Sequence, residues 1–174
     1  MEDFQYLFHR EALTDNGYLM QVGVKPVTSE HMERPLVDYS FDAVCWDYLD
    51  KMRLLCEAKG TKLVLIKAPS LSPVWWDPWE EQMEAYAETH DLLYINFLEH
   101  QEEIGLDWNT DTYDTGLHLN VYGAEKLSSY FGQILTEECD LTDHRSDGAL
   151  SAFWQEKCDT YHERKAFLEA REGE

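Results

Sequence analysis

An aspartate and a histidine four residues apart, Asp114 and His118, are the residues of this sequence whose types and spacing best suit chemistry. They lie in the stretch DWNTDTYDTGLHLNVYG, residues 107–123, a turn-rich segment that runs into an amphipathic one. A carboxylate beside an imidazole holds the ring in one tautomer and stabilises the imidazolium that forms when the ring takes a proton. Such a pair is the base-and-orienter half of a nucleophilic triad, and Gly116 between the two permits the tight turn that joins them. The same spacing also serves a purely structural role, with His118 capping a helix start or binding a backbone carbonyl. The other half of a triad, an activated serine or cysteine, has no obvious bearer. Ser70 and Ser72 stand as substitute nucleophiles because each follows the carboxyl end of an expected strand. Neither has the strained, glycine-flanked turn that exposes a nucleophile, and without that role both are loop residues.

The elements that position these residues follow from periodicity. Ser40 or Asp42 caps a helix on which Val44, Tyr48, Leu49, Met52, Leu55 and Cys56 recur at helical spacing, and Gly60 ends it. KLVLIKA, residues 62–68, is short, apolar and rich in branched side chains, as a strand buried on both faces would be, and Pro69 closes it. After the loop SLSPVWWDPW, Asp77 and Pro78 start a helix that runs to about Thr89 with Met83, Tyr86 and Ala87 inward. LLYINF, residues 92–97, is a second buried strand. Helix, strand, helix, strand with short links predicts parallel pairing, and ligand sites in such sheets lie beyond the carboxyl ends of the strands. That rule puts Ser70, Ser72, Trp75 and Trp76 on the functional edge. Asn120 caps a helix whose inner face is Val121, Ala124, Leu127, Phe131, Ile134 and Leu135. A turn over 142–148 leads to a last helix over about 149–170, with Leu150, Phe153, Trp154, Cys158, Tyr161 and Leu168 on one face. At the other end, residues 3–13 read as a short helix, 18–24 as a strand-like patch stopped by Pro26, and 28–39 as a polar loop in which His31 is a surface residue. The division expected is an irregular N-terminal segment over 1–40, an α/β domain over 41–138 and a C-terminal helix over 139–174.

Composition narrows the function. The 174 residues carry 44% hydrophobic and 13% aromatic side chains, enough for one domain with a sizeable core. The net charge of −21 repels nucleic-acid phosphates and anionic membranes, which removes both as partners and favours solubility. No apolar run approaches the roughly 18 residues of a membrane span. The N-terminus MEDFQYLFHR lacks the basic and apolar regions of a signal peptide. As written the chain reads as cytoplasmic; a preceding half bearing a signal or anchor would make it extracytoplasmic. Cys45, Cys56, Cys139 and Cys158 have no metal or redox spacing and read as reduced, half-buried thiols, with Cys45 and Cys56 on one helix about 16 Å apart. His90 and His100 flank the second strand without partners at ligand spacing and read as solvated. Neither a metal nor a cofactor is indicated. Trp75, Trp76 and Trp79 either line an apolar or sugar-binding groove or cover the sheet edge.

The segment YDTGLHLNVYGAEKLSSYFGQIL, residues 113–135, resembles the C-terminal block of the SGNH hydrolases, also called the GDSL esterase and lipase family. There an Asp and a His lie close together on the loop after the last strand, and His-Leu-Asn, Gly-Ala and a helix beginning Glu-Lys-Leu-Ser is a common bacterial form. KLVLIKAP, the loop after it, the next helix and LLYINF resemble the later half of that fold. The resemblance spans roughly residues 41–135 and is specific only near 114–126. It implies a flavodoxin-like three-layer α/β/α fold, present here in part, with a short parallel sheet and a C-terminal helical extension. It also implies ester hydrolysis or acyl transfer on an O-acylated small molecule or glycan, with His118 as general base and Asp114 as its orienter. Family members separate the two by two residues. Here Thr115, Gly116 and Leu117 intervene, and Asp111 is an alternative orienter. The family's nucleophile block and oxyanion-hole residues are not found, since nothing in 1–40 reads as a strand followed by Gly-x-Ser. Either the chain is the C-terminal half of a longer or split enzyme, with a second chain supplying the missing strands, or it is a member without a nucleophile that binds rather than catalyses.

Overall fold

The computed structural model describes residues 18–28 and 34–173. The helix expected over 3–13 and His31 lie outside the described residues. The described chain is mixed α/β, mostly helical, around one two-stranded parallel sheet.

Helix α1 (Ala43–Lys59) starts where the Asp42 side chain accepts the Val44 N–H and stops at Gly60, which takes the left-handed conformation at φ 64°. Ser40 is no cap; it bonds Asp38 instead. Strand β1 (Val64–Lys67) follows, then α2 (Asp77–Thr89) and β2 (Leu93–Asn96). Asp77 and Pro78 both fall inside the first turn of α2 and Trp76 takes the cap position, so Asp77 acts on the helix dipole rather than as a cap. The strands pair in register, Val64 with Leu93 through Lys67 with Asn96.

Alternation along the strands sorts the sheet into two faces. Val64, Ile66, Leu93 and Ile95 share one face with Phe97 beyond it. This face packs under the short α3 (Gln101–Ile104) and α4 (Val121–Glu138), where Ile95, Phe97 and Ile104 are buried against Leu127, Tyr130, Phe131 and Ile134. Leu65, Lys67, Tyr94 and Asn96 share the other face, toward α2. The expectation of strands buried on both faces holds for β2 and fails for β1. Ile66 is 50% exposed, while Val64 on the same face packs against the Ile95, Phe97 and Ile104 core. Helix α1 has no buried residue, and Val44, Tyr48, Met52 and Leu55 of its expected inner face are all exposed.

The segment 18–28 forms no strand. Its backbone groups bond the loops of the Asp114–His118 region rather than the sheet: Val121 N donates to Gln21 O, Lys25 N to Thr112 O and Val27 N to Trp108 O. Met20 and Val22 are buried against Val121 in a small second core. Helix α5 (Gly148–Glu172), capped by Asp147, packs into that core only through its second half, at Tyr161 and Leu168. Leu150, Phe153, Trp154 and Cys158 of its expected inner face are exposed, Trp154 and Cys158 lining an open pocket with Tyr18, Ala124 and Ser128. Cys45 is exposed too, so of the four thiols only Cys56 and Cys139 are half-buried. Among the described residues, no helix is long and apolar enough to cross a membrane.

Candidate functional site

The loop from β2 to α4 is built on turns that only certain residues allow. Thr112 and Leu119 form an isolated antiparallel bridge, and the Thr112 hydroxyl, fully buried, donates to His118 O at 2.8 Å and accepts from Gly116 N at 2.8 Å. Thr115 at φ 64° and Gly116 at φ 95° reverse the chain between Asp114 and His118. A β-branched residue rarely takes that conformation; Thr115 is held there by its N–H to Lys25 O. A side chain at Gly116 would meet Val27 and Leu71 at 3.0 and 3.2 Å. Where α4 begins, the buried Asn120 side chain accepts from Tyr122 N and Gly123 N and donates to Gly23 O and Thr110 O. Gly123 is forced by the approach of this turn to Asp111, whose carbonyl oxygen would stand 2.6 Å from a Cβ.

On this frame Asp114 Oδ2 lies 2.6 Å from His118 Nδ1, and Asp114 Oδ1 accepts the His118 backbone N–H at 2.7 Å. The Tyr113 ring stacks on the imidazole, centroids 5.7 Å apart and planes 11° apart. The ring is thus fixed at Nδ1 and on one face, and its side chain is 59% exposed. Burial raises the Asp114 carboxyl's pKa, but the His118 hydrogen bonds and charge outweigh it and hold the group below the ordinary carboxylate value. An ionised carboxylate on Nδ1 favours the tautomer that leaves Nε2 free to take a proton.

Asp111, the alternative orienter, is ruled out by its own partners. It is 1% exposed, accepts the Asp107 N–H and the Thr110 hydroxyl, and pairs with Lys126 Nζ at 2.6 Å. It locks the loop to α4 and does not face His118.

The Ser70–Ser72 loop comes to the same place. Leu71 N donates to Gly116 O at 2.8 Å, stitching the loop after β1 to the turn that carries His118. Ser70 Oγ lies 3.1 Å from Lys67 Nζ, while Ser72 precedes the cis Pro73 and is half-buried. The sequence reading missed Lys67. Its only signal was a charge closing an apolar strand three residues before a serine. It missed Thr112 as well, which no pattern marks.

The three tryptophans turn toward other aromatic rings. Trp75 and Trp79 pack with Phe41, and Trp76 and Trp79 edge onto Tyr39, which ties the entry of α1 to α2. His90 and His100 are not free in solvent: the His90 ring packs tilted against Tyr86, centroids 4.5 Å apart, and His100 Nδ1 meets Tyr130 OH at 3.2 Å. Among the described residues, no three His, Cys, Asp or Glu side chains gather as metal ligands would. No family model matches the chain, no curated protein matches it in sequence and no solved structure matches its fold.

Proposed function

We propose that this chain is an SGNH-like α/β hydrolase unit that cleaves or transfers an O-acyl group, on a small molecule or a glycan, with His118 as general base and Asp114 as its orienter. The observation that carries the reading is the 2.6 Å contact between Asp114 Oδ2 and His118 Nδ1, which leaves Nε2 of an exposed ring as the proton acceptor. The parallel β1–α2–β2 arrangement supports it, because Ser70 and His118 both follow the carboxyl ends of the strands. In the reaction the serine oxygen attacks the acyl carbon, the alcohol leaves, and water releases the acid. A panel of p-nitrophenyl esters and acetylated saccharides tests the reading. Hydrolysis that falls on the order of 100-fold in His118→Ala is expected of a general base. No hydrolysis of any member by the purified chain would defeat it.

A second reading rests on the exposed β1 side of the sheet and the uncovered apolar stripe of α1. We infer that a further polypeptide pairs with β1 and covers α1, so that the chain acts within an assembly. Light scattering of the isolated chain, alone and with its genomic neighbour's product, tests this. A monomer that gains no partner would speak against it.

A further inference from the structure

A lysine–serine contact that the Asp114–His118 reading does not use lies on the loop stitched to the His118 turn. Lys67 is the last residue of β1, on the sheet face toward α2. Its Nζ reaches past the strand end to donate to Ala68 O and to meet Ser70 Oγ at 3.1 Å. The ammonium lies 5.5 Å from the centre of the Trp75 ring. The charged group facing it is Glu80 on α2, whose carboxylate is engaged by Trp75 Nε1 and Tyr94 OH and forms no ion pair with the lysine within contact distance. Resting on the hydrolase reading above, we propose that Ser70 is the nucleophile of this site and that Lys67, not His118, takes its proton.

Lysine serves as a base for serine when it is partly desolvated and close to the hydroxyl. Both conditions are met. Burial pushes the Lys67 ammonium below its ordinary value, against the smaller opposing pull of Glu80. The loop geometry gives the two bases separate tasks. Lys67 accepts the proton of Ser70 as Oγ bonds to the acyl carbon. The ester C–O bond then breaks, and the departing alkoxide takes the proton from the Lys67 ammonium. The acyl group now sits on Ser70 beside the His118 turn, which the Leu71 N to Gly116 O bond holds in place. His118 removes a proton from water as the water oxygen bonds to the acyl carbon. The Oγ–C bond breaks, Ser70 Oγ takes the proton back from the His118 imidazolium, and the acid leaves.

A fluorophosphonate probe, which marks an activated serine without any need for deacylation, tests this on the whole chain. Wild type is expected to be modified at Ser70, located by peptide mass, with a rate that rises with pH and levels off below the ordinary lysine value of about 10.4. Lys67→Met is expected to lower the rate by about 100-fold and to abolish that levelling. Ser70→Ala, which removes one oxygen, is expected to abolish modification while melting as wild type does. His118→Ala is expected to be modified at the wild-type rate and, with p-nitrophenyl acetate, to accumulate one acetyl group on Ser70. Modification of Ser70→Ala at the wild-type rate, or of Lys67→Met at the wild-type rate, would overturn the proposal. Full ester turnover by Ser70→Ala alongside an inactive His118→Ala would overturn it and leave the His118 reading standing. Modified Ser70 with an unimpaired His118→Ala turnover would overturn the deacylation step given to His118, and the His118 reading with it.

Discussion

Asp114 makes two contacts to one residue, the ring and the backbone N–H of His118, and on the proposed reading this double grip holds the imidazole for its work as a base. Asp114→Asn keeps the shape and can still accept the backbone N–H, yet it loses the charge that stabilises the imidazolium. Ester turnover is expected to fall at least 10-fold with the melting temperature nearly unchanged, a split that a purely structural aspartate would not give. Gly116 and Asn120 behave oppositely. Gly116→Ala places a Cβ at φ 95° and 3.0 Å from Val27, and a loss of about 1–3 kcal/mol in denaturant unfolding is expected. Asn120→Ala strands the Gly23 and Thr110 carbonyls and uncaps α4, for about 2 kcal/mol or more. At this scale the sequence was partly legible. Asn120 as a cap and the Asp114–His118 pair could be read from residue type and spacing. The Lys67–Ser70 contact and the choice of Asp114 over Asp111 could not, because each depends on which side chains a fold brings together across distant segments.

Helices α4 and α5 are joined by Glu125, which accepts from Lys165 Nζ at 2.8 Å and from Tyr161 OH at 2.9 Å. Burial raises the Glu125 carboxyl, but Lys165 and Tyr161 outweigh it and hold the group below its ordinary value. A carboxylate depressed in the folded state contributes stability above its unfolded pKa of about 4.3 and loses it as pH falls through the folded value. Amide exchange of the second half of α5 is therefore expected to accelerate below about pH 4 before that of β2, and Glu125→Gln is expected to reproduce the change at neutral pH. The pair is partly solvated, so its effect on global stability is at most about 1 kcal/mol. Exchange of α5 no faster at pH 3.5 than at pH 7, once corrected for the intrinsic rate, would remove this role. The described elements were well marked: both strands, four of the five described helices and the Gly60 stop follow from periodicity and caps. The burial of α1 and α5 was not, because an apolar stripe records that a helix wants a partner without saying that the described chain provides one.

For the whole molecule, the consequence is a half-covered sheet on a strongly charged body. Ile66, the α1 stripe and the first half of α5 leave large side chains in water, while the net charge of −21 keeps like chains apart. Added salt screens that repulsion and leaves apolar attraction in place, so self-association measured by sedimentation is expected to increase between 0.05 and 0.5 M sodium chloride. Met52→Asp on α1 is expected to suppress it; association that survives this change would move the contact elsewhere. The segment 18–28, whose residues 18–24 read as a strand-like patch, braces the His118 loop through Lys25 and Val27. Its alternating pattern signals extended backbone, and extended backbone serves equally as a sheet strand or as a strap across loops.

The central claim is that His118, held by Asp114, is a working base. Steady-state hydrolysis of p-nitrophenyl acetate by wild type and His118→Ala, prepared side by side with matched melting curves, tests it most directly. A wild-type steady-state kcat on the order of 100-fold above that of His118→Ala is the result expected. Equal values for the two would remove His118 from the chemistry and leave the Asp114–His118 contact as a brace of the loop.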